Sequence, residues 1–278
     1  MKNKKHWIHE KGYKGQEVRR IQKVVNVGVD GKFGEETEKA VKDYQADNKL
    51  SVDGRVGPQT RRVMEIEIYP GIDVSNWQGD IDWDTLAKTN LAKFCWAKVT
   101  EGNNHVHPGR KRNISGARRV GIPVGGYHFA RPDLHEDPHL EVKNFLKHCP
   151  LEPGDLRPAL DFERAGDHSP DSIRQWVLNF LQEVEAQSGV RPIIYTGGNM
   201  TKYALRSDTT GLDDYILWHA SYSKKAAKNG IKKDRLGGWA EWRIWQWTGS
   251  GHLDGISGHV DRNWLVGGKP AFDSLLVE

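Results

Sequence analysis

Beyond Gly71, apolar runs of strand length alternate with segments of helical periodicity, and this alternation restricts the possible folds more than any other feature of the chain. The runs cover residues 92–99, 123–129, 158–162, 192–195, 215–219 and 242–247. Strands that alternate with helices are typical of a barrel or of a doubly wound sheet. The sequence therefore predicts an α/β fold, and in a barrel the rim formed by the C-terminal strand ends would be the natural site.

The clearest helix signal covers residues 170–187. Ser169 is a good N-cap, Pro170 suits the first helical position, and Asp171 interacts favourably with the helix dipole. Apolar residues then recur on one helical face, which predicts core packing for Ile173, Trp176, Val177, Phe180, Leu181 and Val184.

Two acids, Asp161 and Glu163, stand in the apolar run 157–163. Side chains two residues apart on a strand share a face, so the two acids would point one way, and Leu160 and Phe162 the other. Repulsion between two such acids raises one pKa, and a raised pKa suits an acid that donates a proton at neutral pH. The alternative from these residues alone is a strand end with two solvated acids.

Two further acids, Asp73 and Asp261, lie near the ends of the region that alternates. Taken separately, each would be a turn or surface acid. If the sheet closes into a barrel, its first and last strands meet, and both acids would flank the central pair. The four carboxyl groups together then predict an acidic cleft.

The first 66 residues carry an internal repeat, in which VDGKFGEET at 29–37 returns as VDGRVGPQT at 52–60. Each copy reads as a tight Asp-Gly turn, a second Gly and a helix start. Apolar spacing before and after the turns predicts a small bundle of about three short helices, which would be marginally stable alone.

Charge and hydropathy narrow the class of protein. Mean hydropathy is −0.71, and no apolar stretch reaches the length that spans a bilayer, so we expect a soluble protein without membrane insertion. The basic start, 1–7, precedes no apolar core of a secretory signal peptide. Residues 1–68 hold 15 Lys/Arg against 11 Asp/Glu, and the rest of the chain is balanced. This small basic excess favours an anionic partner. The sequence contains no recognisable nucleic-acid-binding motif, which argues against nucleic acid as that partner.

Two histidine pairs raise the alternative of a zinc amidase or peptidase. His105 and His107 are two residues apart, and His135 and His139 have the spacing of one helical turn. Neither pair has the Glu or the third ligand of a metalloprotease, so no metal and no cofactor is predicted.

The two cysteines do not form a disulfide framework in a chain of this size. Cys95 lies in a strand-like run and is expected to be a buried thiol, while a bridge to Cys149 stays open.

The segment 12–64 resembles the peptidoglycan-binding domain type 1 family. The resemblance rests on the spaced apolar residues around the first Asp-Gly turn and on the second Asp-Gly-x-x-Gly-x-x-Thr motif. It implies a three-helix module that holds enzymes on the bacterial wall, and a purely structural appendage is the alternative. Residues 1–66 are assigned to this module and 67–70 to a short linker.

The region 71–268 resembles glycoside hydrolase family 25, the Chalaropsis-type lysozymes, and residues 71–278 are assigned to this catalytic barrel. The matching stretches follow the family's order: GIDVSNWQGDIDW (71–83), AKVTEG (97–102), GYHFARP (126–132), LDFE (160–163), LWHASY (217–222), WQWT (245–248) and VDRN (260–263). Leu265 stands where an aromatic residue is common, which affects packing. The resemblance implies an irregular TIM-like (β/α) barrel with fewer helices than strands and N-acetylmuramidase activity on peptidoglycan.

The same resemblance implies roles for individual residues. Glu163 matches the general acid, Asp161 the residue that stabilises the charged intermediate, and Asp73 and Asp261 the acids that tune this pair. Tyr127 and Tyr195 would lie near the sugar that carries the N-acetyl group. Among tryptophans near the acidic motifs, Trp218 is the preferred substrate contact, although most such residues pack in cores.

Spacing along the strand does not settle the stereochemistry. Two residues span about 6.6–6.8 Å, between the carboxylate separations of retaining and inverting glycosidases. The D-x-E pair favours a third route, in which the acetamido oxygen of the substrate attacks its own anomeric carbon, over a covalent aspartyl adduct.

A wall anchor joined to a muramidase resembles a modular bacteriophage endolysin. Such an enzyme would act as a monomer on peptidoglycan glycan strands and would stay in the host cytoplasm until a holin releases it to the wall. A bacterial autolysin, or a wall-binding protein without activity, is the alternative, and the intact acid pair argues against the latter.

Overall fold

The computed structural model describes residues 8–149 and 151–278, so the basic start lies outside the described residues. Two compact units are present. One comprises the chain up to Tyr69 together with Ser223–Lys232 and Leu265–Ser274, and the other comprises Pro70–Tyr222, Lys233–Trp264 and Leu275–Glu278. The domain boundaries predicted from the sequence, 1–66, 67–70 and 71–278, remain predictions.

Eight strands close into a barrel, which confirms the predicted α/β class. The described residues contain nine strands, of which all but β3 form the barrel: β1 (Ile68–Val74), β2 (Cys95–Glu101), β3 (His105–Val106), β4 (Val124–Phe129), β5 (Ala159–Phe162), β6 (Ile193–Gly197), β7 (Leu217–Ala220), β8 (Ile244–Gly251) and β9 (Val260–Val266). Their order is β1-β9-β8-β7-β6-β5-β4-β2, and pairing of β1 with β2 closes the ring. The short β3 lies outside the ring, antiparallel to β2. All six strand-like runs of the sequence supply barrel strands.

Helices follow several of the strands and also fill the N-terminal segment. They are α1 (Gln16–Val24), α2 (Glu35–Asp47), α3 (Pro58–Val63), α4 (Trp83–Lys88), α5 (Arg110–Arg119), α6 (His139–His148), α7 (Pro170–Ser188), α8 (Lys224–Asn229) and α9 (Gly268–Asp273). No helix in the described parts of the chain is both long and apolar enough to cross a membrane.

Helix α7 confirms the strongest helix prediction. The Ser169 hydroxyl accepts a hydrogen bond from the backbone N–H of Ser172 at 3.2 Å, and Pro170 opens the helix. Gly189, at φ 71°, ends it in the left-handed conformation that glycine adopts without strain. The predicted apolar face is buried along its whole length.

Parallel register places several predicted site residues in one row around the barrel. Asp161 on β5 is paired with Phe129 on β4 and with Tyr195 on β6. Tyr195 is in turn paired with Trp218 on β7. Because parallel strands end at the same edge, this row lies next to the rim that carries function in barrels.

The barrel interior is packed around large aromatic side chains. Trp96 lies against Trp218 with ring centroids 4.8 Å apart, and its indole N–H donates to the carbonyl of Arg157 at 3.0 Å. Gly125 makes room for this ring, because a Cβ there would lie 2.6 Å from Trp96 Nε1. The core below the rim is therefore filled.

The repeat of the N-terminal segment encloses a buried glutamine. In the first copy the Gln22 amide donates to Asp30 Oδ1 at 2.8 Å, to the Lys32 carbonyl at 3.1 Å and to Thr37 Oγ1 at 3.1 Å. Its oxygen accepts from the backbone N–H of Gly31 at 2.8 Å. One side chain on α1 thus fastens the turn to the start of α2.

The second copy repeats this arrangement atom for atom. Gln45 donates to Asp53 Oδ1 at 3.0 Å, to the Arg55 carbonyl at 2.9 Å and to Thr60 Oγ1 at 3.2 Å, and accepts from Gly54 N–H at 2.9 Å. Both aspartates of the repeat therefore stabilise turns. Below the turns, the apolar core of the segment consists of Val18, Ile21, Phe33, Val41, Val56, Met64 and Ile66.

Candidate active site

A cleft of about 270 Å³ opens where β1, β4 and β5 end and β9 begins. The structure brings all seven residues predicted from the sequence to its wall: Asp73, Tyr127, Asp161, Glu163, Tyr195, Trp218 and Asp261. Six more residues complete the lining: Ser75, Trp77, Lys98, Phe129, Tyr222 and Gln246. The cleft therefore combines carboxyl groups with aromatic rings, a composition suited to a sugar polymer.

The acid pair is divided between a buried and an exposed environment. Asp161 lies on β5 and is 9 % exposed, whereas Glu163 follows the end of that strand and is exposed. Burial raises the pKa of Asp161 well above its usual range, and the charges of Glu163 and Asp73 raise it further, while Lys98 opposes them. Burial is therefore a larger cause than the repulsion expected from the sequence.

One oxygen of Asp161 is left without a partner. Its Oδ1 is buried and accepts no hydrogen bond from any residue in 8–149 or 151–278. An unpaired buried carboxylate oxygen is costly, so its persistence at a cleft marks a place where a ligand donor can be received.

Asp73 and Asp261 form a second carboxyl pair, joined by a hydrogen bond. Burial raises the pKa of Asp73 well above its usual range, and the charge of Asp261 adds to it. Burial also raises the pKa of Asp261, to about 6, against the lowering effect of its hydrogen bond with Asp73. The buried pair therefore favours a proton that is shared in the hydrogen bond between Asp73 and Asp261.

Two amides orient Asp73 from opposite sides. Gln246 Nε2 donates to Asp73 Oδ2 at 2.9 Å, and Asn263 Nδ2 donates to the same oxygen at 2.7 Å. The hydroxyls of Tyr195 and Tyr222 both donate to Gln246 Oε1, which leaves its NH₂ group directed at Asp73. With Oδ2 occupied by two donors, Asp73 has its other oxygen available for the proton it shares.

This geometry agrees with what the chain resembles among known proteins. The family model "Glycosyl hydrolases family 25" matches residues 72–256, and a peptidoglycan binding domain model matches residues 10–64. The chain belongs to glycosyl hydrolase family 25. It is a glycoside hydrolase of the lysozyme type, a peptidoglycan hydrolase, and both resemblances drawn from the sequence are confirmed.

Individual relatives cover most of the chain. "Uncharacterized protein YegX" of Escherichia coli (strain K12) is 34 % identical over 206 residues, which are 71 % of this chain and 69 % of that protein. Lysozyme M1 of Streptomyces globisporus is 28 % identical over 227 residues, 76 % of this chain and 73 % of that lysozyme. The crystal structure of a bacterial lysozyme from Streptomyces coelicolor superposes with a TM-score of 0.67 at 27 % identity, covering 74 % of this chain and 96 % of that one.

Several members of this family 25 site were not singled out from the sequence. Tyr222, Gln246 and Asn263 lie inside stretches that carried the resemblance, but no role was given to them. Polar residues that alternate with Trp in the strand 245–247 were the available signal. The hydrogen bonds that define their roles join residues 173 and 190 positions apart, which no local pattern reveals.

The predicted aromatic contacts differ in how much ring they offer to the cleft. Trp218 is only 2 % exposed, because Trp96 and Tyr195 cover its ring and its N–H donates to Asn263 Oδ1 at 2.7 Å. Burial raises the pKa of Tyr127 and that of Tyr195 well above the usual range, so both phenols stay neutral. Trp218 thus lines the family 25 cleft with very little of its surface exposed.

The histidine pairs that suggested zinc lie apart from this cleft. His135 Nδ1 is 2.6 Å from Glu141 and His139 Nδ1 is 2.6 Å from Glu183, so the two rings bind different carboxylates. His107 accepts a hydrogen bond from the backbone N–H of Asn76. In the part of the chain that the structure describes, no three His, Cys, Asp or Glu side chains are grouped to hold a metal ion.

The two thiols are buried and are not joined by a disulfide. Burial raises the pKa of Cys95 and that of Cys149, which keeps both protonated. Cys95 packs in the barrel as the sequence predicted.

Proposed function

We propose that the chain is an N-acetylmuramidase, which cleaves the β-1,4 bond between N-acetylmuramic acid and N-acetylglucosamine. The observation that carries the proposal is the pairing of an exposed Glu163 with a buried Asp161 that has an unpartnered oxygen, both facing one cleft. Two carboxyl groups in unlike environments are the usual equipment for splitting a glycosidic bond.

Glu163 is assigned as the general acid. Its position beyond the end of β5 lets its carboxyl group reach into the open cleft, where a glycosidic oxygen would lie. As the bond between the anomeric carbon and this oxygen breaks, Glu163 gives its proton to the oxygen, and the leaving sugar departs as an alcohol.

Asp161 is assigned to the acetamido group of the substrate. The acetamido oxygen attacks the anomeric carbon and forms a cyclic intermediate, which places positive charge near the acetamido nitrogen. Asp161 Oδ1 accepts the N–H hydrogen bond and stabilises that charge, which its unpaired oxygen suits. The ionised Glu163 then takes a proton from water as the water opens the ring.

Asp73 and Asp261 are assigned to positioning and electrostatics. Asp73 is buried, two amides bind its Oδ2, and it shares a proton with Asp261, so it is held in place and is a poor nucleophile. The carboxyl group of Asp261, beside Asp73, makes further negative charge in the cleft unfavourable. It therefore favours a substrate that becomes positively charged during the reaction.

The sugar at the new reducing end of the glycan product identifies the bond that is cut. We expect mass spectrometry of digested peptidoglycan to show fragments with a reducing N-acetylmuramic acid end. A reducing glucosamine end, or release of free stem peptides, would contradict the muramidase assignment.

The N-terminal segment is proposed to anchor the enzyme on its polymer. Support comes from the family match over residues 10–64. Residues 1–66 would form the anchor, 67–70 the linker and 71–278 the catalytic barrel of a monomer.

A bacteriophage endolysin is the proposed biological role, since it joins a wall anchor to a muramidase. In a bacterium that produces the protein internally, we expect lysis to follow only when a holin is produced as well. Lysis at the same rate without a holin would point instead to an autolysin with its own export route.

A further inference from the structure

Trp77 is the most exposed large hydrophobic side chain in the described parts of the chain. It is 86 % exposed, and it lines the acidic cleft. It follows β1, in the 3-10 turn Asn76–Gln78. A solvent-exposed indole lacks the burial that usually stabilises aromatic side chains, so the exposure of Trp77 needs an explanation.

The turn that carries Trp77 is fixed from within. The Ser75 hydroxyl accepts from the backbone N–H of Trp77 at 3.3 Å, and the Ser75 N–H donates to Gln78 Oε1 at 2.8 Å. The NH₂ group of Gln78 donates to the carbonyl of His259 at 3.0 Å, which ties the turn to the approach of β9. This capping box holds the backbone of the indole in one conformation.

A second set of contacts secures the same turn from outside. His107 Nε2 accepts from the Asn76 N–H at 3.0 Å, and Asn113 Nδ2 donates to the Ser75 carbonyl at 3.3 Å. Burial lowers the pKa of His107 to about 4, so its ring stays neutral and keeps an acceptor for Asn76 at neutral pH. The backbone under Trp77 is therefore rigid, although its side chain is not packed.

The exposure of another aromatic residue, Tyr203, is explained by cationic neighbours within the protein, and Trp77 has no such neighbours in the described residues. Tyr203 is 63 % exposed, but the cationic groups of Lys202 and Arg235 lie 5.8 Å and 5.6 Å from its ring centroid. Among residues 8–149 and 151–278, no ring or cation has such a contact with Trp77. Tyr203 also lies outside the residues that line the cleft.

We propose that Trp77 is a stacking platform for a sugar ring of the glycan strand, at a binding position away from the bond that is cut. The C–H face of a sugar is apolar and fits an indole face, and a rigid backbone avoids an ordering cost on binding. The inference rests on the proposed muramidase function and adds a second point of contact to it.

The strand order places this platform across the mouth of the barrel from the acid. Glu163 follows β5, and Trp77 follows β1, which is three strands away in the order β5-β4-β2-β1. Neighbouring strands lie about 4.8 Å apart, so roughly 14 Å of barrel rim separates the two strand ends. The sugar bound to Trp77 is consequently a different residue of the glycan chain from the one whose acetamido group meets Asp161.

Chain-length dependence tests the inference. For Trp77→Ala, kcat/KM on long soluble glycan strands should fall about tenfold through a higher KM, the size of one lost stacking contact. On the shortest fragment that the wild type still cleaves, the loss should be less than about twofold. Trp77→Phe should restore most of the difference, because it keeps an aromatic face.

Tyr203→Ala is the matched control, since it removes an exposed ring outside the cleft, and it should leave both substrates unaffected. An equal loss on long and short substrates, or no loss on either, would overturn the platform. Circular dichroism spectra that match the wild type would establish that the variants are folded. If the muramidase assignment itself were wrong, the wild type would produce no reducing muramic acid end. That result is distinguishable from a failure of the Trp77 proposal, which concerns only the dependence on chain length.

Discussion

Glu163→Gln should lower the rate of peptidoglycan hydrolysis by about 10²- to 10⁴-fold, the range that a positioned general acid contributes. Glutamine has nearly the same shape but cannot give a proton to the leaving oxygen. Because Glu163 is exposed beyond the end of β5, the exchange leaves no buried group unpaired and should not disturb the fold. Turbidity of purified walls and the yield of reducing ends measure the loss.

A neighbouring acid supplies the control. Asp167 is also exposed and lies in the same loop after β5, but it does not line the cleft, so Asp167→Asn should keep full activity. Sedimentation with walls should be unchanged in both variants, because the substitutions leave the N-terminal segment intact. Lysis by Glu163→Gln within tenfold of the wild type would disprove its role as the acid.

Features with a local cause could be predicted from the sequence. Six of the eight barrel strands, all except β1 and β9, were predicted from apolar runs. Helix α7 was predicted from its cap and its apolar face, because burial periodicity and capping depend on residues close in the chain. The acid pair was found for the same reason, as Asp161 and Glu163 are two residues apart.

Closure of the barrel was expected to bring Asp73 and Asp261 to the acid pair, but the hydrogen-bond partners that closure creates could not be predicted. Asp73 meets Gln246 and Asn263 only because β1 lies beside β9 and β8 follows, and the register of those strands is not encoded in any short motif. Exposure of aromatic residues is equally non-local. Trp218 and Trp77 both stand near acidic motifs, yet one is 2 % and the other 86 % exposed.

The N-terminal repeat shows a different limit of sequence reasoning. A repeated Asp-Gly motif in a binding module invites a role in binding, but Asp30 and Asp53 each serve a buried glutamine. The motif recurs because the same turn is built twice.

Asp161→Asn should lower activity by about 10²- to 10³-fold and at the same time stabilise the fold at neutral pH. The asparagine keeps the shape but not the charge that stabilises the intermediate. Burial raises the pKa of Asp161 in the folded protein, so its ionised form is less favourable there than in the unfolded chain. Stability from this group is therefore present at low pH and is lost as pH rises through the raised pKa. Removing the charge should raise Tm at pH 7 relative to wild type.

The raised pKa of Asp161 also predicts the acid side of the pH profile. Only the ionised carboxylate stabilises the positive charge of the intermediate, so kcat/KM of the wild type should fall as pH drops through a midpoint above about 3.9, the ordinary value for aspartate. The residual activity of Asp161→Asn should lack this limb. An unchanged limb in the variant would assign it to another group.

Glycan that has been chemically de-N-acetylated separates the assisted route from a covalent one. De-N-acetylation leaves an amine without the acetamido oxygen that attacks the anomeric carbon, so Asp161 has no cyclic intermediate to stabilise, and wild type and Asp161→Asn should be similarly slow on this polymer. A nucleophilic Asp161 would instead leave the wild type far ahead of the variant on both polymers. Product of inverted anomeric configuration would exclude both routes, since each proceeds through two displacements at the anomeric carbon.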